Sequence, residues 1–256
     1  MSSSVIYEQP LNERIRMFMR LDALLARLGQ TLAQDNINDT HHAIITLVEL
    51  VALTARMDIK QELAKELERL NTNLVSLRER PNADVNRINT LIAQQRAWVD
   101  SILGFAGSMD QHTKENDLFN SIRQRLAVPG GTCAFDLPVY HHWLTRPSSE
   151  RRQLIKHWAS PFDVLKEPIS SVLQLIRRSG QSETQTAHQG FYDQSLDGQR
   201  PWQLVRIALP HGSPLYPEVS AGRQRFNVRF LIAREDGQRA CQTQEDVSFT
   251  LSCCAI

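Results

Sequence analysis

The sequence predicts an α+β protein in which a mostly helical N-terminal region precedes a C-terminal antiparallel β region. Apolar residues recur at helical spacing from residue 12 to about 180, and from residue 183 to 256 they alternate with polar residues, as in a β-strand. The segment at residues 3–9 also alternates, and the C-terminal sheet is its simplest partner. We therefore expect a helical domain at 12–180 and a β domain at 183–256, to which residues 3–9 add a strand.

The first half of the helical region is expected to be a bundle with a long helical hairpin. Asn12 is a suitable N-cap for the first helix, and the helix around residues 41–57 is apolar on most of its surface and should be central. Two amphipathic stretches with coiled-coil spacing follow, and Pro81 and the capping residue Asp84 separate them, which predicts an antiparallel hairpin. Their apolar stripes are Leu63, Leu67, Leu70, Leu74 and Leu77 in the first and Ile88, Ile92, Gln95, Val99 and Ile102 in the second. Packing within the chain accounts for most of each stripe, and a share in a dimer interface is the alternative.

Turn residues delimit the remaining elements. A helix from Asn116 ends at Pro129-Gly130-Gly131, and residues 132–137 predict a short strand before Pro138 begins another helix. Two further helices are predicted, at 149–158 and 162–180, and a polar connection follows them. The predicted strands of the β region are 190–194, 202–209, 225–233 and 246–254.

Composition excludes several classes of protein. The 29 Lys and Arg residues nearly cancel the 28 Asp and Glu residues, so any basic binding surface must be local. Four cysteines without CxxC spacing indicate reduced thiols rather than a disulfide framework. No apolar run approaches the ~20 residues that span a bilayer, and the N-terminus lacks the pattern of a signal peptide. Phosphate-loop, dinucleotide-binding and hydrolase motifs are absent, so we expect no enzyme activity, cofactor or metal site.

One predicted strand, RQRFNVRF at residues 223–230, carries an unusual charge pattern. Alternation places three arginines on one face and three apolar side chains on the other. These are Arg223, Arg225 and Arg229, opposite Phe226, Val228 and Phe230. Around this strand, residues 201–234 hold five arginines and a single acid, Glu218. The arginines form either a solvated face that prevents sheet aggregation or a platform for an acidic peptide or nucleic acid, since Arg binds carboxylates and phosphates in a bidentate manner.

Several segments, in chain order, resemble the Z-ring-associated protein D (ZapD) family of bacterial cell division proteins. They are YEQPLNERIR, RQRLAVPGGTCAFDLPVYHHWL, GFYDQ, LYPEVS, RQRFNVRF and the SCC near the C-terminus. The resemblance covers nearly the whole chain, and the segment from PGG to FDLP is long enough to be specific. Three stretches depart from the family pattern. Residues 181–201 belong to a variable stretch, Ala255-Ile256 extends past the usual cysteine end, and KEND at 114–117 stands where relatives tend to be more basic.

The resemblance implies a cytoplasmic homodimer, with a helical and a β domain, at the mid-cell division site. Members of the family bind the short, apolar and acidic C-terminal tail of the tubulin-like protein FtsZ and bundle its filaments to stabilise the Z-ring. The implied tail-binding residues, with Arg223 added from the strand face, are Arg20, Arg56, His141, Arg223, Arg225 and Arg229. Neither a cofactor nor a membrane or nucleic-acid partner is implied. The alternative is a nucleic-acid-binding protein that uses the same basic strand face, which the near-neutral charge and few aromatic residues disfavour.

Overall fold

The computed structural model describes residues 4–81, 83–222, 224–232, 234 and 239–256. It confirms the predicted α+β fold class, with a helical N-terminal region and antiparallel C-terminal strands. The chain divides into two compact units. Unit 1 comprises Met1–Arg16 and Leu173–Ile256, and unit 2 comprises Met17–Val172.

Apart from α8, which continues from a 3₁₀ turn, the helices begin at polar capping residues or at proline. The Asn12 side chain accepts a hydrogen bond from the Ile15 amide at 2.9 Å, and Pro138 occupies the first turn of its helix. The helices are α1 (Glu13–Leu32), α2 (Ile37–Thr54), α3 (Ile59–Arg78), α4 (Val85–Gly104), α5 (Asp117–Arg125), α6 (Pro138–Leu144), α7 (Ser148–Ala159) and α8 (Asp163–Ser179). A 3₁₀ turn at Ser160–Phe162 joins the last two.

The predicted hairpin is formed by α3 and α4, which pack against each other along their stripes. Asp84 caps α4 as expected, because its side chain accepts a hydrogen bond from the Arg87 amide. The stripe residues that are buried within the chain are Leu63, Leu67, Leu70, Leu74, Ile92, Gln95 and Ile102. Packing within one chain therefore buries most of both stripes, as expected if the stripes pack mainly inside the chain.

Two segments differ from the sequence-based expectation. Residues 132–137 are a series of tight turns rather than a strand, because Gly130 adopts a φ of 72° and the amides of Asp136 and Leu137 both donate to the carbonyl of Cys133. The polar segment after α8 is a strand at Gln181–Ala187 rather than a connection. Its exposed position lets it be polar on both faces, so it shows no hydrophobic alternation.

The strands form two antiparallel sheets within unit 1. They are β1 (Ser4–Pro10), β2 (Gln181–Ala187), β3 (Phe191–Ser195), β4 (Trp202–Pro210), β5 (Leu215–Ala221), β6 (Arg225–Ile232), β7 (Cys241–Gln242) and β8 (Val247–Ala255). One sheet has the order β1-β4-β8-β2, and the other has the order β3-β6-β5, with β7 paired to β6. The pairing of β1 with β4 confirms that the N-terminal strand joins the C-terminal β region.

The core of unit 1 fixes which face of β6 meets solvent. Phe226, Val228 and Phe230 are almost completely buried, and the ring of Phe230 lies 4.9 Å from that of Phe249 on β8. Burying side chains of this size contributes about 1.5–3 kcal/mol each. Because strand side chains alternate, this packing directs Arg225 and Arg229 to the opposite, exposed face.

Candidate functional site

The candidate site is the outer face of β6 with its two neighbouring strands, which we call the arginine face. Arg225 and Arg229 are both exposed and stand four residues apart on β6, about 13 Å at ~3.3 Å per residue. The register places Arg225 opposite Ser195 on β3. Among the residues that the structure describes, no carboxylate forms an ion pair with Arg225. Its guanidinium group is therefore available to a ligand.

Arg229 has an acidic neighbour on β5. Its Nη2 atom lies 3.1 Å from Oε2 of Glu218, the residue directly opposite it in the sheet. The two side chains are 55% and 51% exposed, and an ion pair in such a solvated position contributes ~0–1 kcal/mol. An incoming carboxylate can compete for Arg229 at low cost, because the existing pair is weak.

An aromatic residue that the sequence analysis did not single out completes the arginine face. Phe191 on β3 lies opposite Arg229 on the side away from Glu218, and its ring is partly exposed. The face therefore offers an apolar surface beside a guanidinium group. The GFYDQ segment was predicted as a strand, but deciding that Phe191 points outward required its register with β6.

Arg206, which belongs to the same basic stretch of sequence, has a different role. Its Nε atom lies 2.9 Å from Oε1 of Glu8, and Oε2 of Glu8 lies 2.8 Å from Nη2 of Arg177. The Glu8 side chain is only 16% exposed. Burial alone would raise the pKa of Glu8, but the hydrogen bonds and charges of Arg177 and Arg206 outweigh it and leave the pKa below its usual value.

The basic surface is thus smaller than the sequence count indicates. Arg206 lies on β4 in the other sheet and is paired with Glu8, and Arg234 lies beyond the end of β6, where it contacts the sulfur of Cys241 at 3.5 Å. Arg223, the third arginine of the predicted row, lies outside the described residues. Within the described part of β6, two arginines carry the positive charge of the face.

The other predicted site residues belong to unit 2. Arg20 lies on α1, Arg56 lies in the turn after α2, and His141 lies on α6; all three are exposed. In the described part of the chain, no hydrogen bond or ion pair joins any of them to another side chain. The predicted set is therefore divided between the two units, and only Arg225 and Arg229 are brought together on one strand.

A partly buried contact orients the helix that carries His141. The hydroxyl group of Tyr140 lies 2.9 Å from Nδ1 of His41 on α2. Burial raises the pKa of Tyr140, whereas burial and then the charge of His42 lower the pKa of His41. Both partners are therefore neutral at neutral pH, and Tyr140 fixes α6 with His141 facing solvent.

The described residues include neither a metal-binding cluster nor a membrane-spanning helix. No group of three or more His, Cys, Asp or Glu side chains among them is arranged to hold a metal ion. None of the described helices has the length and apolar character that crossing a membrane requires.

Comparison with known proteins gives consistent matches over the whole chain. The ZapD family model, described as "Cell division protein", matches residues 19–229. The Cell division protein ZapD of Methylococcus capsulatus is 40% identical over 256 residues, covering 100% of each chain. The proteins of the same name from Aromatoleum aromaticum and an Azoarcus species are 35% and 33% identical to this chain over 252 residues. Each match spans 98% of this chain, and it spans 98% of the first relative and 100% of the second.

Proposed function

Because this chain belongs to the ZapD family of cell division proteins, we propose that it binds the C-terminal tail of FtsZ and cross-links FtsZ filaments. The proposal places the protein in the cytoplasm at the mid-cell division site, where bundled filaments stabilise the Z-ring. It assigns the protein a binding role rather than a catalytic one.

The observation that carries this proposal is the arginine face. Among the described residues, Arg225 has no acidic partner and Arg229 has an exposed pair with Glu218. Guanidinium groups form bidentate hydrogen bonds with carboxylates, and two of them ~13 Å apart can engage two acids of one extended peptide. Phe191 offers an apolar contact beside them. An acidic peptide with apolar residues matches this combination.

Bundling requires a second binding site on the same particle, and we propose a homodimer as its source. Two copies related by a twofold axis present two identical arginine faces. A single tail held by exposed charge pairs binds weakly, but once it is held, a second tail on a neighbouring filament meets its site at high effective concentration. Weak individual contacts then give firm cross-links.

The test measures tail affinity and thermal stability for a charge-reversed arginine face. Arg225→Glu with Arg229→Glu should weaken binding of a fluorescent FtsZ tail peptide by about tenfold or more, because attraction becomes repulsion at two points. Melting should change little, since the substituted side chains are exposed: exposed substitutions cost within about 0.5 kcal/mol, and loss of the Arg229–Glu218 pair adds ~0–1 kcal/mol.

A matched control separates local from overall charge. Arg87→Glu with Arg96→Glu alters net charge equally at two exposed positions of α4 and should leave affinity within about twofold. Equal binding by the parent and the arginine-face variant would refute the site. Displacement of the peptide by duplex DNA would favour the nucleic-acid alternative, and a parent that sediments as a monomer would refute the cross-linking mechanism.

A further inference from the structure

Unit 1 contains a cleft at the end of β6 that carries Arg225. Its volume is about 690 Å³, within the ~300–1,000 Å³ that is typical of ligand sites. We call it the end cleft. Its lining includes Leu11, Gly198, Arg200, Trp202, Gly222 and Gln224. All of these residues belong to unit 1, so the cleft lies within a single compact unit.

The backbone that carries Arg225 also forms one wall of the end cleft. Gln224 lines the cleft and directly precedes Arg225, and the Gly222 amide donates to the carbonyl of Arg225 at 2.9 Å. The Leu196 amide donates to the carbonyl of Gln224 at 2.7 Å, which ties the connection before β4 to the same wall. Because an extended peptide advances ~3.3 Å per residue, a peptide bound to Arg225 can place a side chain in the cleft a few residues away.

Two glycines leave the end cleft open. A Cβ atom at Gly198 would lie 3.7 Å from Nε2 of Gln224, and one at Gly222 would lie 3.7 Å from the carbonyl oxygen of Arg225. Both are ordinary van der Waals distances, and neither glycine has a positive φ. Close packing and backbone conformation therefore admit a larger side chain at either position, where it would occupy the space of the cleft.

The inner wall of the end cleft is apolar and fixed in place. Leu11 and Trp202 line the cleft and also pack against the buried core of unit 1. The indole nitrogen of Trp202 donates to the carbonyl of Asp197 at 2.9 Å, which sets the orientation of the ring. A side chain that enters the cleft meets a surface that is already ordered, so little conformational entropy is lost on binding.

The charge on the lining of the end cleft is positive. The guanidinium group of Arg200 lies over the ring of Trp202, with 5.8 Å between Cζ and the ring centroid, and the Arg200 side chain is 67% exposed. Its Nε atom is 3.9 Å from Oδ2 of Asp197, which is too far for a hydrogen bond. The described residues that line the cleft include no Asp or Glu. A carboxylate can therefore approach Arg200 without meeting a like charge on the lining.

The combination of an apolar wall and a guanidinium group favours a peptide as the occupant. The cleft admits a few side chains, whereas a second folded chain needs about 800 Å² of surface from each partner. A nucleic acid backbone would use the guanidinium groups of Arg200 and Arg225 but would leave the apolar wall uncovered. A peptide with acids beside apolar residues uses both features.

We infer that the end cleft takes an apolar side chain of the acidic peptide that Arg225 binds, and that Arg200 binds a carboxylate next to it. The inference rests on the proposed function, which supplies the FtsZ tail as the peptide, and deepens it. The arginine face attracts the acids of the tail, and the end cleft selects for an apolar residue near them.

The test fills the end cleft and leaves its charges in place. Gly198→Leu should weaken binding of the fluorescent FtsZ tail peptide about tenfold, and melting should stay close to that of the parent, because the new side chain meets no backbone within van der Waals distance. The matched control, Gly29→Leu, adds the same side chain at an open position of α1 in unit 2 and should bind within about twofold of the parent. The effect of Gly198→Leu should persist at about 0.3 M salt, because an apolar contact is not screened, whereas the smaller effect of Arg200→Gln should shrink.

A second peptide, with the apolar residues of the tail replaced by serine, isolates the apolar contact. The parent should bind it about tenfold more weakly than the tail, and Gly198→Leu should bind it as the parent does. Equal weakening of both peptides by Gly198→Leu would mean that the leucine disturbs Arg225, and would overturn the inference. Tail binding by Gly198→Leu within twofold of the parent would overturn the inference and leave the arginine face intact.

Two further outcomes concern the identity of the ligand. A parent that binds neither peptide would overturn the proposed function and with it this assignment. A single-stranded oligonucleotide that the parent binds and Gly198→Leu does not would assign the end cleft to nucleic acid instead.

Discussion

Two arginine groups in unit 1 have the same chemistry and opposite roles. Arg177 and Arg206 share one carboxylate, Glu8, which is largely buried. Arg225 and Arg229 stand on the exposed face of β6, where Glu218 is the one acid among the described residues that forms an ion pair with either of them. The first group joins β1, β4 and the end of α8. The second group is directed to solvent by the core behind it. An arginine becomes structural or available for binding according to whether the fold brings a largely buried acid to it.

The energetic contrast between the groups follows from solvation. A charge pair removed from water loses hydration that only its partner can replace, so deleting one partner of a fully buried pair costs about 3–5 kcal/mol. An exposed pair keeps most of its hydration and contributes ~0–1 kcal/mol. The Glu8 cluster lies between these limits, because its arginines remain about one quarter to one third exposed.

The largest expected effect is on stability. Glu8→Ala should lower the free energy of unfolding by about 2–3 kcal/mol, because it leaves two partly buried guanidinium groups without their carboxylate. Glu218→Ala, the matched change on the arginine face, should cost less than about 1 kcal/mol. Urea denaturation of both variants measures the difference. Equal losses would show that the two groups are not distinguished by burial.

The second effect is a loss of stability in acid. The pKa of Glu8 is lower in the folded protein than its ordinary value of 4.5, so its contribution is complete above that pH and disappears as the pH falls through the folded pKa. The pKa of His41 in the folded protein lies below its ordinary value of 6.5. Its contribution to stability is therefore complete above pH 6.5 and is lost as the pH falls below that value, in a window above that of Glu8.

Unfolding measured from pH 7 to pH 3 separates these two contributions. The parent should lose stability in both windows, and Glu8→Gln should reduce the dependence only in the lower one, where Asp246 and other carboxylates still titrate. A Glu8→Gln curve parallel to that of the parent below pH 4.5 would mean that the cluster does not hold the carboxylate in its charged form.

The smallest expected effect is a gain in binding. Glu218→Gln removes the carboxylate that competes with a ligand for Arg229, so affinity for the FtsZ tail peptide should rise about twofold, equivalent to ~0.4 kcal/mol. Glu183→Gln removes an exposed strand acid from the other sheet and should change affinity less. Fluorescence anisotropy at low salt resolves a difference of this size. Weaker binding by Glu218→Gln would indicate that Glu218 positions Arg229 rather than competing for it.

The sequence by itself determined those elements whose apolar residues recur with a clear helical or strand periodicity. The 4-3-4-3 stripes predicted the α3–α4 hairpin, and the alternation in RFNVRF placed Phe226 and Phe230 inward and Arg225 and Arg229 outward. These predictions were correct because side-chain direction in a helix or strand follows from local backbone geometry. The β2 strand was missed for the same reason, since a strand that is polar on both faces carries no such period.

Only the tertiary structure decided what each outward residue meets. Glu8 and Arg206 are 198 positions apart, and they pair because β1 and β4 become neighbours in one particular register. The 83% exposure of Phe135, in the turns between α5 and α6, likewise could not be predicted from its sequence neighbours. The local periodicity of a helix or strand fixes the direction in which a side chain points. Its burial, exposure and charge pairing depend on contacts between segments that are far apart in the chain.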